Sequence, residues 1–600
     1  MMTTREETQA KIDRQAAGVM QFTPEQEYGF ADRFEERTAE APDLPFLIWE
    51  GERISWGEAN QQANRLAHFI RGQGVAQGDT VAVMVENSPE FLYTWIALAK
   101  LGCIAALINT QTRGNALAHA LQTSESKLLF IGAECLDKLA STESAKGALP
   151  TWVIPRAGSE APIPADAQLL SQQLENLPGD NPERALRSGT TGQSILCLIF
   201  TSGTTGFPKA SKITHMRWLG IGQGWVNTLE LTRDDVFYCV LPLFHIAAGG
   251  SLLSSVFATG GTIALRRKFS ASRFWKDIRE FGVTFAQYSG ELCRYLLNQP
   301  ESDSDREHGL RIMTGSGLNR DTYTRLQERF KIERLVEGYG GTELNIGISN
   351  LDNEPGSCGR IPFPEKSTAR LVKYDVENDR HIRNEAGFLI ECEVDEPGEL
   401  LAKILDLPGI PAGRFDGYVD PVASEKKILR DVFEPGDAYV RTGDLLKRNC
   451  DDYYYFVDRL GDTYRWKSEN VSTSEVTAAL DSYPGMELIS VYGVHVPDHE
   501  GQAGMAAIVM RAGIEFDPEA FVEVARTQLP PYAIPLFVRV TAEADMTETL
   551  RLRKVDLRRQ GYAAGVSGDA LWVLDQRAGL YCPLTEANLT RLGIPTFLTE

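Results

Sequence analysis

Phosphate-handling groups are concentrated at Thr201-Ser202-Gly203-Thr204-Thr205-Gly206-Phe207-Pro208-Lys209. The stretch follows the apolar run from Ser194 to Phe200, as a loop follows a buried strand. Its two glycines let backbone N–H groups approach oxygen atoms closely, its hydroxyls donate to them, and Lys209 adds local positive charge. A solvated Ser/Thr turn would account for any three of these residues but not for the whole run. The spacing is not GxxxxGK[ST], which excludes a P-loop NTPase.

Elements able to carry such a loop surround it. Ser55-Trp56-Gly57-Glu58 forms a capping box for an amphipathic helix whose Leu66, Phe69 and Ile70 face inward, ended by Gly72 and Gly74. A strand follows from Val81 to Val85. Ser88-Pro89-Glu90 then supplies a cap, a first-turn proline and a first-turn acid to the next helix, which Gly102 closes before the apolar run Cys103 to Ile108. Short apolar runs recur at Lys127 to Ile131, Val236 to Leu241, Gly261 to Leu265 and Thr284 to Tyr288. They predict a large α/β fold with buried, mainly parallel strands. Ser141 to Gln193 reads mostly as surface connection. After Asp458 the scale changes, and strands at Ile489 to Val496, Met505 to Met510 and Leu536 to Val540, with a helix at Asp517 to Gln528, predict a smaller α+β domain.

With 600 residues the chain is too long for one compact core. Its net charge of −21 argues against nucleic acid as a partner. The nine cysteines contain no Cys-x-x-Cys, fit neither a disulfide framework nor a thiolate zinc cage, and point to a reducing, cytoplasmic setting. The charged start MMTTREETQAKIDRQ lacks a signal peptide's apolar core. Val236 to Leu265 carries no Asp, Glu, Lys or Arg. Its Pro242, His245, Gly249-Gly250 and Gly260-Gly261 make it read as strand, loop, helix and strand rather than as a membrane span. His495 and His499 sit four apart, but Pro497 and the want of a third ligand argue against a metal site.

IFTSGTTGFPKAS resembles the signature loop of the adenylate-forming superfamily of acyl-CoA synthetases, luciferases and adenylation domains. Glu337 to Glu343 (EGYGGTE), Tyr439 to Asp444 (YVRTGD) and the stretch Asp458 to Val476 match its later motifs in order. The match from Arg441 to Val476, with LAKLGCIAALINTQ, GELLAKI and the tail LWVLDQRAGLYCPLT, is most similar to the fatty-acid transport protein and very-long-chain acyl-CoA synthetase branch. The resemblance implies a large N-terminal domain (1–458) binding ATP and fatty acid, a hinge (459–463) and a small mobile C-terminal domain (464–600).

The implied reaction joins a long- or very-long-chain fatty acid to ATP as an acyl adenylate, then moves the acyl group to coenzyme A. Two alternatives stay open: delivery to a carrier-protein thiol, and a fatty-acid uptake protein with secondary ligase activity. By motif position, Thr201, Ser202, Gly203, Thr204, Thr205, Gly206 and Lys209 would hold the phosphates. Gly315, Ser316 and Gly317 would line the adenine pocket and Tyr339 would stack on the base. Thr342 would touch the α-phosphate, Glu343 would help hold Mg²⁺, and Asp444 would accept from the ribose hydroxyls beside Arg459.

Lys554 matches the mobile lysine that bridges carboxylate and α-phosphate, although the arginines around it make the stretch look like ordinary basic surface. His245, alone in an apolar run, reads as a hydrogen-bonded core residue. The resemblance places it instead at the junction of acyl chain and pantetheine. Three positions depart from the pattern: Gly461 stands at the hinge, Ser468 follows Trp466-Lys467 where glycine is usual, and Arg551 replaces a lysine. Peripheral contact with the inner face of a membrane stays open, and no oligomeric state is assigned.

Overall fold

The structure is a computed structural model describing residues 3–140, 142, 149–156, 163, 167–201, 207–376, 378–466, 469–497, 501–541, 554–563 and 569–595. The chain divides into two compact units. One comprises Met1–Ala369, Ala402–Asp431 and Pro435–Val440, and the other Arg370–Leu401, Val432–Glu434 and Arg441–Glu600.

The first unit is built on two mainly parallel sheets. In the first, Thr80–Met84 lies between Leu128–Gly132 and Ile104–Leu107, and Ile104–Leu107 pairs in parallel with Ile195–Thr201. Lys209–Thr214 then closes that edge antiparallel to Ile195–Thr201. The second sheet has a parallel centre of Arg334–Gly340, Ile312–Ser316, Phe285–Ser289, Val236–Cys239, Thr262–Leu265 and Pro45–Trp49. The runs read as buried strands are therefore strands, and both predicted caps form. Ser55 and Glu58 make a reciprocal capping box for helix Trp56–Gly72, and Ser88 caps Pro89–Lys100.

Between the sheets lies an aromatic cluster of Phe30, Phe34, Trp56, Trp95, Trp218 and Phe257, with Phe30 centroids 4.5 Å from Trp218 and 4.8 Å from Phe257. Burying each such ring contributes about 2–3 kcal/mol. The charge-free stretch resolves into strand Val236–Cys239, a π-helical turn Ile246–Leu252, helix Leu253–Thr259 and strand Thr262–Leu265. Gly249 belongs in that turn because a Cβ would stand 2.0 Å from the Leu243 carbonyl oxygen. Among the described residues no helix is long and apolar enough to cross a membrane. Ser141 to Gln193 contains more order than a surface connection. Thr151–Ile154 and Ala167–Leu169 extend the first sheet, in runs too short to show periodicity.

The second unit contains the antiparallel pairing in which Asp444 lies opposite Arg459, and a five-stranded sheet. The sheet order is Met486–His495, Gln502–Met510, Phe537–Val540, Ala570–Asp575, Leu580–Pro583. The last two strands are the tail motif LWVLDQRAGLYCP, which pairs as a hairpin and adds Val573 and Tyr581 to the core. Fully buried Arg539 in this core is paired with Asp569 at 2.9 Å and donates to the Gly561 carbonyl at 2.7 Å, so its charge is matched rather than stranded.

Candidate active site

The signature loop joins two antiparallel strands whose last described pair is Thr201 opposite Lys209. Ser202, Gly203, Thr204, Thr205 and Gly206 lie outside the described residues, so the structure places the two ends of this loop. Beside them runs the segment around Tyr418. Lys212 donates its N–H to the Gly417 carbonyl at 3.0 Å and Val419 to that of Ala210 at 2.9 Å, which sets Tyr418 alongside the strand. Lys209 Nζ stands over the Tyr418 ring, 5.5 Å from its centroid. Glu343 and Thr201 lie close enough to the Tyr418 hydroxyl to act on its charge. Burial, reinforced by the Glu343 charge, raises its pKa, so it remains a neutral phenol.

Glu343 and Thr342 sit in a tight turn after strand Arg334–Gly340, closed by Leu344 N–H donating to the Gly341 carbonyl at 3.1 Å. Arg217 braces the same turn, donating from Nη2 to the Leu344 carbonyl at 2.8 Å. Glu343 Oε1 also lies 3.4 Å from Lys427 Nζ. Thr201 and Lys209 are thus brought through Tyr418 to Glu343, which is far from them in sequence. Neither Tyr418 nor Lys427 carries a sequence signal, because each is one polar residue in an irregular segment.

Gly315 and Ser316 end strand Ile312–Ser316, and Gly317 continues with φ +99°. Gly315 must be glycine, since a Cβ would meet the Tyr288 carbonyl oxygen at 2.3 Å. Buried Glu337 organises this turn: it accepts from the Gly317 and Leu318 N–H groups and from Tyr288 Oη at 2.7 Å. Tyr339, two residues on, is half-buried opposite Ile348. His245 precedes the π-helical turn, where its carbonyl accepts from Gly249 N–H. Burial lowers its pKa to about 4, so the imidazole is neutral at pH 7.

In the second unit Asp444 faces Arg459 across two paired strands, Arg459 Nε standing 3.7 Å from Asp444 Oδ1. The preceding Gly443 has φ +80°. Its N–H donates at 3.0 Å to Glu399, whose carboxylate is fully buried and also accepts from Arg441 and His381. Burial pushes the Glu399 pKa up, but the His381 and Arg441 contacts outweigh it and hold the carboxyl below its ordinary range. Glu399 was legible only as one letter of GELLAKI.

Lys554 begins helix Lys554–Gln560 and donates to Asp462 Oδ2 and Thr473 Oγ1, both at 3.1 Å, while Arg558 holds the other Asp462 oxygen at 2.6 Å. Burial raises the Asp462 pKa, and the two cations override that and lower it. Gly461, beside this carboxylate, has φ +85° and open space at its Cβ position. Ser468, His499 and Arg551 lie outside the described residues. No group of three or more His, Cys, Asp or Glu is arranged to hold a metal among the described residues.

Residues 34–403 match the family described as AMP-binding enzyme, and residues 475–550 the AMP-binding enzyme C-terminal domain. The chain is 39% identical over 546 residues to the medium/long-chain-fatty-acid–CoA ligase FadD6 of Mycobacterium tuberculosis, covering 90% of this chain and 87% of the relative. It is 38% identical over 546 residues to long-chain fatty acid transport protein 1 of Homo sapiens, covering 90% and 83%. Among solved structures, the anthranilate CoA ligase AuaEII in complex with anthranoyl-AMP shares the fold with a TM-score of 0.73 at 21% identity, covering 88% of this chain and 96% of that one. ATP-bound MatB from Rhodopseudomonas palustris follows with 0.71 at 22%, covering 88% and 98%.

Proposed function

We propose, for a chain that belongs to the AMP-binding enzyme family, that its reaction is ATP-dependent activation of a long- or very-long-chain fatty acid and transfer of the acyl group to coenzyme A. The observation that carries the catalytic reading is the meeting of Thr201, Lys209 and Glu343 around Tyr418, with Lys209 over its ring and Glu343 and Thr201 near its hydroxyl. Phosphate donors and a hard carboxylate there share one polar unit.

In the first half-reaction a fatty carboxylate attacks the α-phosphorus of ATP and pyrophosphate leaves. Negative charge accumulates on phosphate oxygens, so fixed donors aimed at them lower the barrier. Lys209 and the hydroxyls of its loop meet that charge. Tyr339 stacks on adenine against the Gly315–Gly317 turn that Glu337 shapes, and Thr342 donates to the α-phosphate. Asp444 accepts from the ribose hydroxyls, with Arg459 beside it.

A single carboxylate, Glu343, suits Mg²⁺, which takes one or two carboxylates and completes its shell with phosphate oxygens and water. When bound, the ion neutralises triphosphate charge and eases departure of pyrophosphate. Lys554 bridges the carboxylate and the α-phosphate, for which its ammonium must first leave Asp462. Glycine at 461, already at positive φ, accepts the backbone rotation that a turning C-terminal domain requires.

In the second half-reaction the thiol of coenzyme A attacks the acyl carbonyl and AMP leaves. His245, neutral at pH 7, orients groups there without placing a positive charge beside the acyl chain. The acceptor is tested by mass spectrometry of the products formed from fatty acid and ATP with either coenzyme A or a phosphopantetheinyl carrier protein. Acyl-CoA as the dominant product supports the reading, and acyl-carrier product with no acyl-CoA overturns it. Uptake with secondary chemistry is less well supported, because Lys209, Glu343, Asp444, Arg459 and Lys554 are all present.

A further inference from the structure

Lys427 enters the phosphate end of the site from a segment that no signature motif covers. It follows the short helix Pro421–Glu425, which Asp420 caps, and its N–H donates to the Ser424 carbonyl at 3.0 Å. The next residues, Ile428–Arg430, pair antiparallel with Ala438–Val440. Turn and strand together fix where Lys427 projects. Its Nζ lies 3.4 Å from Glu343 Oε1, with side chains only 22% and 17% exposed. Lys209 stands over the Tyr418 ring, and the Glu343 charge acts on the Tyr418 hydroxyl. Two ammonium groups therefore flank one phenol–carboxylate unit.

That arrangement has a chemical consequence, which rests on the ATP-dependent reading above. A carboxylate by itself repels a triphosphate. A lysine beside it neutralises the empty site, and its compact, flexible charge follows phosphate oxygens once the carboxylate turns to a cation. We propose that Lys427 binds the terminal phosphates of the nucleotide and holds pyrophosphate as it leaves, while its pairing with Glu343 belongs to the site before nucleotide binds. Its neighbour Lys426 is exposed and carries the same formal charge, which separates a placed ammonium from the general field of the surface.

The test is calorimetric binding to the full chain in the presence of Mg²⁺, with inorganic pyrophosphate and AMP as separate probes. Lys427→Gln weakens pyrophosphate binding about tenfold or more, as loss of a charge-assisted contact requires, and AMP binding less than about twofold. Lys427→Arg recovers most of the pyrophosphate affinity, and Lys426→Gln binds pyrophosphate as the unaltered chain does. Equal weakening toward both probes would assign Lys427 a merely structural part and overturn the proposal, as would unchanged pyrophosphate binding in Lys427→Gln. An unaltered chain that binds neither ATP nor pyrophosphate would instead overturn the functional reading beneath it.

Discussion

Replacing Glu399 tests how the turn before Asp444 is held. Its carboxylate is fully buried and accepts from His381 Nε2 at 2.6 Å, from Arg441 Nε and Nη2 at 3.1–3.2 Å, and from the Gly443 N–H at 3.0 Å. In Glu399→Ala these donors face a cavity with no acceptor, and Arg441 loses its buried counter-charge. Breaking one side of such a pair costs about 3–5 kcal/mol. For a unit of this size each kcal/mol lowers the melting temperature by about 2–4 °C, so calorimetry should show a fall of roughly 6–20 °C. Glu399→Gln keeps the volume but turns an amide toward the donors, and should cost about 1–3 kcal/mol.

The pH dependence has a definite sign. The folded carboxyl lies below its ordinary value, so its contribution is fully present above the unfolded glutamate pKa of about 4.3 and is lost as pH falls through the lower folded value. The gap between wild type and Glu399→Gln should therefore be full at pH 7, begin to shrink near the unfolded value of about 4.3 and close as pH falls through the lower folded value. Because Gly443 precedes Asp444, the KM for ATP should rise more than kcat falls. A stability loss under about 1 kcal/mol in Glu399→Ala would refute this account of the turn.

Lys554→Ala should abolish acid-dependent formation of the adenylate yet still convert supplied acyl adenylate to thioester, measured as two separate half-reactions; equal loss of both would reject the alternating role of this lysine. For His245, burial lowers the pKa to about 4 from an ordinary value near 6.5, so its neutral form is the one present from pH 5 upward. His245→Gln should slow thioester formation without altering the shape of its pH profile between about pH 5 and 8, and removal of a limb near pH 6 by this substitution would show that the ring titrates in the ordinary range.

Much of the scaffold was legible because its signals are local. Ser55 with Glu58, and Ser88 with Pro89, announce their helices from neighbouring residues, and uninterrupted runs such as Val236–Cys239 announce buried parallel strands. The motif residues stand out in sequence for another reason: glycines, hydroxyls and a lysine at fixed spacing have few purposes other than phosphate. What stayed hidden depends on contacts between distant segments. Glu337 and Glu399 are ordinary glutamates in sequence, and only folding reveals that Glu337 accepts from the Gly317 and Leu318 N–H groups and Glu399 from that of Gly443. Tyr418 and Lys427 reach Glu343 from irregular chain where no periodicity exists to read. Motif position singles out Lys554, whereas its contacts with Asp462 and Thr473 depend on the fold.

The central claim is that this chain activates fatty carboxylates through an acyl adenylate. Exchange of labelled pyrophosphate into ATP, measured with Mg²⁺ across a panel of fatty acids from short to very long, tests it most directly. The account expects exchange that depends on added acid and is strongest with long or very long chains. Absence of acid-dependent exchange across the whole panel would contradict it.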